Sequence, residues 1–337
     1  MQDVVIINGS YRNNPITNER AKLIGEIKMG AKGWFANFEL KSYGTIRVQL
    51  PSKNSVKFLS PAERVVEEPI ETADETVVEV EETDEQIIER IESRFAVLNQ
   101  VTAGIADGNY RSLIVSGAPG IGKSAGINAT LESKLGARGD EFDVVSGSIV
   151  SAYNLYQTLY DNRDKVLVLD DCDSLLFDGN CVNLLKAALD SGDKPRMVSY
   201  KSDSVLQLGL PVTFEFTGSI IFITNIDFQK IIEKDRSAQA KHLSALTDRS
   251  LYLDLTLHTR RDIWCRISSM VTRHNMLAKY KFTNKQITEM LDYMKEKEYH
   301  FRSFSLRTVV QLAQFMQTNP NNWRDMSEAF QMKRKSK

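Results

Sequence analysis

One stretch of nine residues constrains this chain more than any other: Ser116-Gly-Ala-Pro-Gly-Ile-Gly-Lys-Ser124, directly after the apolar run Leu113-Ile-Val115. The spacing Gly117-x-x-x-x-Gly122-Lys123-Ser124 is that of a phosphate-binding loop, in which backbone N–H groups and a helix N-terminus surround a polyphosphate. Glycines are needed because side chains would hold the backbone away from the phosphates. The expected cradle is Gly117, Ala118, Pro119, Gly120, Ile121, Gly122, Lys123 and Ser124. Lys123 is placed to reach the β- and γ-phosphates of ATP, and the Ser124 hydroxyl to join a Mg²⁺ shell, which prefers oxygen ligands. A plain glycine-rich turn between strand and helix would not need all four fixed positions in that context.

A second motif, Val166-Leu-Val-Leu-Asp-Asp-Cys-Asp173, delivers two consecutive carboxylates at the tip of an apolar strand. A nucleotide–Mg²⁺ site requires one acid to position the ion and another to orient the attacking water. Asp170 is assigned to Mg²⁺ and Asp171 to the water. Asp173 reads as a helix cap ahead of the run from Ser174.

The 337 residues suggest two or three domains. Between Ala62 and Glu85 eleven acids face Arg64 alone, a local charge of −10 in a chain of net charge −1. Such a run repels itself and buries little, so it reads as an extended linker over 61–85, and the remainder of the chain is net positive. Before it, residues 1–60 hold short, partly alternating runs, Val4–Ile7, Lys22–Lys28, Trp34–Leu40, Thr45–Leu50 and Val56–Leu59, which predict a small β-rich domain. Nine Lys or Arg against four acids, with Trp34, Phe35, Phe38 and Tyr43 among them, suit either stacking on single-stranded nucleic acid or docking of a protein partner. Aromatics in so small a domain also have a core to fill. No apolar run approaches the ~20 residues that cross a bilayer, and the N-terminus lacks the pattern of a signal peptide, so a cytoplasmic protein without a membrane partner is expected. Cys172, Cys181 and Cys265 show neither paired spacing nor a histidine cluster and read as reduced, partly buried thiols.

After the linker, Ile87, Ile88, Ile91, Phe95, Leu98, Val101 and Ile105 recur at helical spacing up to Gly108-Asn109. Apolar runs at Leu113–Ser116, Phe142–Val145, Val166–Leu169, Ile220–Thr224 and Leu251–Leu255 alternate with helical stretches. That pattern predicts an α/β core over 86–258: a parallel five-stranded sheet with helices on both faces and the phosphate loop at a strand end. Residues 259–330 carry three helical apolar stripes and read as a small helical lid, followed by a basic tail over 331–337.

With these motifs in order, residues 86 to 320 resemble an AAA+ ATPase. Phe222-Ile-Thr-Asn225 is similar to the family's sensor 1, which implies that Asn225 helps to position the lytic water. Leu246-Thr-Asp-Arg-Ser250 resembles the site of the arginine finger, which implies that Arg249 reaches the γ-phosphate of a neighbouring subunit. Ser305-Leu-Arg-Thr308 resembles the sensor 2 helix and implies a nucleotide contact by Arg307, with Arg302 close by as a competitor. The resemblance implies a catalytic set of Asp171, Asn225, Arg249 and Arg307, and a homo-oligomer, most simply a hexameric ring. One departure stands out: many members have Asp-Glu where this chain has Asp170-Asp171, one methylene shorter at the water-positioning residue. The organisation is also similar to AAA-type ATPases of phages and bacteria. Between the acid strand and the sensor strand, Lys194, Arg196, Tyr200 and Lys201 lie where many members place loops facing a central pore.

The expectation is an ATPase that couples Mg²⁺-dependent ATP hydrolysis at subunit boundaries to remodelling or loading of a nucleic-acid or nucleoprotein target. The rivals are a slow-turnover, ATP-dependent switch or scaffold, which the shorter Asp171 permits, and a protein-remodelling unfoldase.

Overall fold

The structure, a computed structural model, describes residues 2–11, 14–16, 19–30, 33–40, 44–58, 82–147, 149–190, 192, 194–203, 205, 209–234 and 237–334. Tyr43, most of the acidic run and the end of the basic tail lie outside the described residues. The chain divides into two units, Met1–Val80 and Glu81–Lys337.

The first unit is an antiparallel sheet of seven strands: β1 (Gln2–Ile6), β2 (Gly9–Tyr11), β3 (Asn14–Ile16), β4 (Glu19–Gly30), β5 (Gly33–Leu40), β6 (Gly44–Leu50) and β7 (Val56–Phe58), in the order β3-β2-β6-β5-β4-β1-β7. Alternation along the strands decides what is buried: Ala36, Phe38 and Leu40 of β5 face the same core as Ile46, Val48 and Leu50 of β6. β4 is bulged between Ile24 and Lys28, where Gly25 takes φ 85°. The five apolar runs of the sequence lie in β1, β4, β5, β6 and β7, whereas β2 and β3 had no such signal. Phe38 is core. Phe35, on the other face of β5, carries Arg47 at 4.8 Å over its ring.

The second unit begins with α1 (Asp84–Ala106), capped by a reciprocal pair between Thr83 and Gln86. Asp84 and Glu85 therefore form its first turn instead of ending a linker, and they pair with Arg261 at 2.7 Å and Arg273 at 2.6 Å. Five parallel strands follow, β8 (Ser112–Ser116), β9 (Phe142–Ser146), β10 (Val166–Asp170), β13 (Ser219–Ile223) and β14 (Leu251–Asp254), in the order β14-β8-β13-β10-β9. Each strand feeds two cores. Ile114, Leu167, Leu169, Ile220 and Phe222 pack on one face against α3 (Ala152–Asp161), α4 (Gly179–Ala188) and α6 (Ala238–Thr247), and Leu113, Val115, Val166, Val168, Ile221 and Ile223 pack on the other against α1 and α2 (Lys123–Leu135). Burial on both faces is why the inner strands β8, β10 and β13 read as unbroken apolar runs, whereas the edge strands β9 and β14 are only partly buried. α5 (Phe228–Lys234) follows β13. Cys172, Cys181 and Cys265 are free thiols, fully buried where partial burial was expected.

The stretch between α4 and β13 is a two-stranded hairpin, β11 (Met197–Ser199) against β12 (Thr213–Glu215). It corrects part of the pore-loop expectation. Arg196 is buried, donates to the carbonyls of Ala188 at 2.9 Å and Gly218 at 2.6 Å, and lies over Phe216. Tyr200 packs against Tyr156, with ring centroids 5.7 Å apart. These two side chains hold the hairpin on the core and are not free to grip a polymer. Lys194 and Lys201 are exposed.

The C-terminal part is helical: α7 (Arg260–Thr272), α8 (Asn284–Glu296), α9 (Leu306–Thr318) and α10 (Trp323–Gln331) close round Ile267, Val271, Met290, Met294, Phe301, Val309, Leu312 and Trp323. No helix of the described residues is long and apolar enough to cross a membrane.

α7 is tied to α1 at its first turn. Asp262, 4% exposed, accepts from the backbone N–H of His258 at 3.1 Å and Thr259 at 3.0 Å and from Arg90 Nη2 at 3.0 Å. Burial alone would raise its carboxyl, but the Thr259 N–H and Arg90 outweigh it and hold the group below its ordinary value. Asp262→Asn is expected to lower stability by about 1–3 kcal/mol through the weakened cap and the lost charge opposite Arg90, which keeps its pair with Glu82 at 2.8 Å. Because the folded carboxyl is the stronger acid, its contribution is complete above about pH 4 and disappears as pH falls through the lower folded value. Urea unfolding of both proteins from pH 7 down to 3 checks this; a gap between them that widens in acid contradicts it.

Candidate functional site

The sheet order assembles the site. β13 lies between β8 and β10, so the residue after β13 stands between the loop that follows β8 and the acids that end β10. Val115 is level with Ile223, which is level with Asp170.

The loop turns on three glycines with positive φ, Gly117 at 149°, Gly120 at 75° and Gly122 at 102°, the last of them the N-cap of α2. Lys123, 6% exposed, folds back over it: Nζ donates to the carbonyl oxygens of Gly117 at 2.5 Å and Ala118 at 3.0 Å and to Asn225 Oδ1 at 3.0 Å. Asn225 Nδ2 donates in turn to Asp171 Oδ1 at 2.7 Å. Only this orientation of the amide serves both neighbours, since the ammonium can only donate and the carboxylate only accept. Ser124 Oγ donates to Asp170 Oδ1 at 3.1 Å. The structure thus brings Lys123, Asn225 and Asp171 into one hydrogen-bonded set and Ser124 and Asp170 into a second, both on the wall of one cavity.

Its electrostatics are those of a half-dry cleft. Burial lowers Lys123 to about 8, against the opposing pull of Asp171 and Asp170. Burial likewise raises Asp170, although Ser124 and Lys123 act the other way. Asp171 has φ 54°, an uncommon left-handed conformation for a residue other than glycine, and its N–H donates to Ile223 O at 3.2 Å. Asp173 is not the helix cap expected of it. Cys172 takes the N-cap position, Asp173 opens a short 3-10 turn over Asp173–Phe177, and the following α4 is capped by Asp178, which accepts from Asn180 N at 2.8 Å and Cys181 N at 2.9 Å.

The C-terminal helices cover the loop. Leu306 N donates to Gly120 O at 2.9 Å, and a Cβ on Gly120 would stand 2.9 Å from Ser305 Cβ and 3.6 Å from Arg307 Cγ. Arg307 lines the cavity, of about 1070 Å³, with Lys123, Asp170, Asp171 and Asn225. Arg302 points elsewhere and donates to the carbonyl of Phe330. Of the four predicted catalytic residues, Arg249 alone lies outside the cleft: Nη1 donates to Ala245 O at 2.8 Å, Nε is 4.0 Å from Asp190, and its carbonyl accepts from Ser112 Oγ at 3.2 Å. Ser112 begins β8, so Arg249 sits at the end of the sheet opposite the loop.

Among the lining residues, Glu92 and Arg266 carried no site signal in the sequence and Phe95 reads there only as part of an apolar stripe, yet all three face the cavity from α1 and α7. The donor set suits a nucleotide: a loop whose glycines leave room for phosphates, a lysine spending its hydrogen bonds on the loop's own carbonyls, and a hydroxyl and carboxylate pair that can hold Mg²⁺ together with phosphate oxygens.

No family model matches the chain. It is 34% identical over 337 residues to the uncharacterized 36.7 kDa protein in the nrdC–mobD intergenic region of Enterobacteria phage T4, a match that covers 98% of both chains. Among solved structures it is similar to a DNA replication initiation factor (13% identity, TM-score 0.41, 72% of this chain and 65% of that one). It is also similar to the Thermotoga maritima RuvB Holliday junction branch migration motor (13% identity, TM-score 0.39, 72% and 68%). The AAA domain of FIGL-1 in complex with ADP gives 17% identity and TM-score 0.39 over 74% and 84%.

The contact between loop and α9 generates a stability prediction. Gly120→Ala places a side chain at φ 75° and 2.9 Å from Ser305 Cβ, so the nucleotide-free protein should lose about 1–3 kcal/mol. Its urea midpoint measures this, and a midpoint equal to that of the parent contradicts the close approach.

Proposed function

The chain belongs to the family of that phage T4 protein, and from its phosphate loop, acid pair and sheet order we propose that it is an AAA+ protein, a Mg²⁺-dependent ATPase working between subunits of a homo-oligomer. The observation that carries this reading is the gathering of Lys123, Asn225 and Asp171, bonded in a row, with the Ser124–Asp170 pair and Arg307 in one cavity. Lys123 exchanges the carbonyls of Gly117 and Ala118 for the β- and γ-phosphates of ATP, to which it offers the same donors. Ser124 and Asp170 would hold Mg²⁺, which would supply charge neutralisation to the phosphates. Asp171, held by Asn225, orients the attacking water and accepts its proton, and Arg307 approaches the phosphates from the helical part. Arg249, at the far end of the sheet from its own loop, serves the γ-phosphate of a neighbouring subunit in a ring, hexameric by likeness to the family. The N-terminal sheet, with Arg47 over Phe35 on an open face, recruits the nucleic-acid or nucleoprotein target that hydrolysis remodels or loads.

A slow ATP-dependent switch is the second reading. It is favoured by the shorter carboxylate at Asp171 and by its left-handed backbone. Steady-state phosphate release, with and without single-stranded DNA, duplex DNA and unfolded protein, separates the two.

Asp171→Asn keeps shape and the bond to Asn225 but loses the charge that orients water. ATP should bind as before while turnover falls by ~10² or more; a variant that hydrolyses like the parent removes Asp171 from this role. Arg249→Ala should bind ATP normally and hydrolyse poorly, because a finger supplied in trans is worth about 10³–10⁵ in rate. Mixed with Lys123→Ala protein it should recover part of the lost activity, at interfaces that pair an intact loop with an intact finger. A specific activity independent of dilution, with no recovery on mixing, would sink the oligomeric site.

A further inference from the structure

Arg266 has no place in the chemistry above, and its surroundings are costly for a cation. It lies on α7, is 6% exposed, and has its guanidinium carbon 3.6 Å from the centroid of the Phe95 ring on α1. Nε donates to Ile121 O, within the phosphate loop, at 3.3 Å. Among the described residues no carboxylate is hydrogen-bonded to it. Glu92, the acid whose charge it senses, accepts from Ser269 Oγ and from His274 Nε2 at 3.2 Å. Asp262, one turn before it on α7, is taken by Arg90 at 3.0 Å. Burial pushes Arg266 down to about 10.

A guanidinium has five N–H donors in a rigid fork. Among the described residues the side chain makes one hydrogen bond, through Nε, and Nη2 lies 3.6 Å from where a Cβ on Gly122 would stand. The fork therefore opens into the cavity beside the last glycine of the loop, among the residues that also include Lys123 and Arg307. The Phe95 face offsets part of the desolvation, but an apolar side chain of the same length would fill the space without that cost. A planar fork facing a phosphate cradle matches the two oxygens of a phosphate, and it receives there the negative charge it lacks.

We propose that Arg266 is a phosphate ligand of the bound nucleotide, donating from α7 to the phosphate chain beside Gly122. It thereby joins α1, the loop and the helical part through one side chain, so that a nucleoside di- or triphosphate draws α7 onto the loop. The inference rests on the nucleotide reading of the cavity.

The test compares the full chain with Arg266→Met and Arg266→Lys, titrated with ADP and with adenosine, alongside urea unfolding without ligand. Arg266→Met should unfold at the parent midpoint or above it, because it removes an unpaired buried charge, and should bind ADP about 10- to 100-fold more weakly. Arg266→Lys, which keeps charge and stem without the fork, should fall between. Adenosine, which lacks phosphate, should bind all three alike. Unchanged ADP affinity in Arg266→Met overturns the proposal, as does an equal loss for adenosine and ADP, or a lowered midpoint with affinity intact, which would make Arg266 a packing residue. If Arg266→Met does not fold, unchanged ADP affinity in Arg266→Lys overturns it. A parent that fails to bind ADP while folding normally instead removes the nucleotide reading itself, a separate result.

Discussion

A buried ammonium group organises this molecule. Lys123 is out of water and must be given acceptors, and the structure supplies two loop carbonyls and the Asn225 amide oxygen. Each acceptor has its own requirement. The carbonyls of Gly117 and Ala118 turn inward only because the backbone at Gly117, Gly120 and Gly122 takes conformations that side chains disfavour. Asn225 points its oxygen at Lys123 only because Asp171 takes its amide nitrogen. The cation is thus held in a form that a polyphosphate can compete for: its partners are neutral, and the nearest carboxylate contact passes through an amide.

The larger architecture follows from the same constraint. Placing β13 between β8 and β10 makes Asn225 the bridge between loop and acids; exchanging β13 and β10 in the order would leave Asn225 a strand too far from Lys123. The C-terminal helices complete the cleft through backbone and small side chains. Leu306 N bonds Gly120 O, and Ser305 fills the space a glycine leaves open. α7 is anchored on α1 by Asp262 and Arg90, which fixes the helix that carries Arg266.

Much of this was legible in the sequence, for physical reasons. Strands buried on both faces have to be apolar throughout, so the inner strands β8, β10 and β13 announced themselves within a residue or so at each end, and the less buried edge strands β9 and β14 still kept enough apolar residues to be read beside them. The phosphate loop is legible because its chemistry needs glycine, lysine and serine at fixed spacing. What escaped depends on partners far away in the chain. β3 is an edge strand that contains Pro15, and β2 has too few residues to show alternation. Arg196 and Tyr200 have the composition of a solvated hairpin, and only the fold shows the carbonyls and rings that bury them. Asp173 had the look of a helix cap, but Cys172 occupies that position. Arg266 is invisible as a site residue from its own helix, because the carbonyl it binds is 145 residues away.

The central claim is that the cavity between loop, acids and helical part is a Mg²⁺-nucleotide site. Calorimetric titration of ATP into the unaltered full chain, once with Mg²⁺ and once with EDTA, tests it most directly. The account predicts one nucleotide per chain and tighter binding with Mg²⁺, since Ser124 and Asp170 are placed to hold the ion with the phosphates. A folded protein that gives no binding heat at millimolar ATP, or the same affinity with and without the ion, would contradict it.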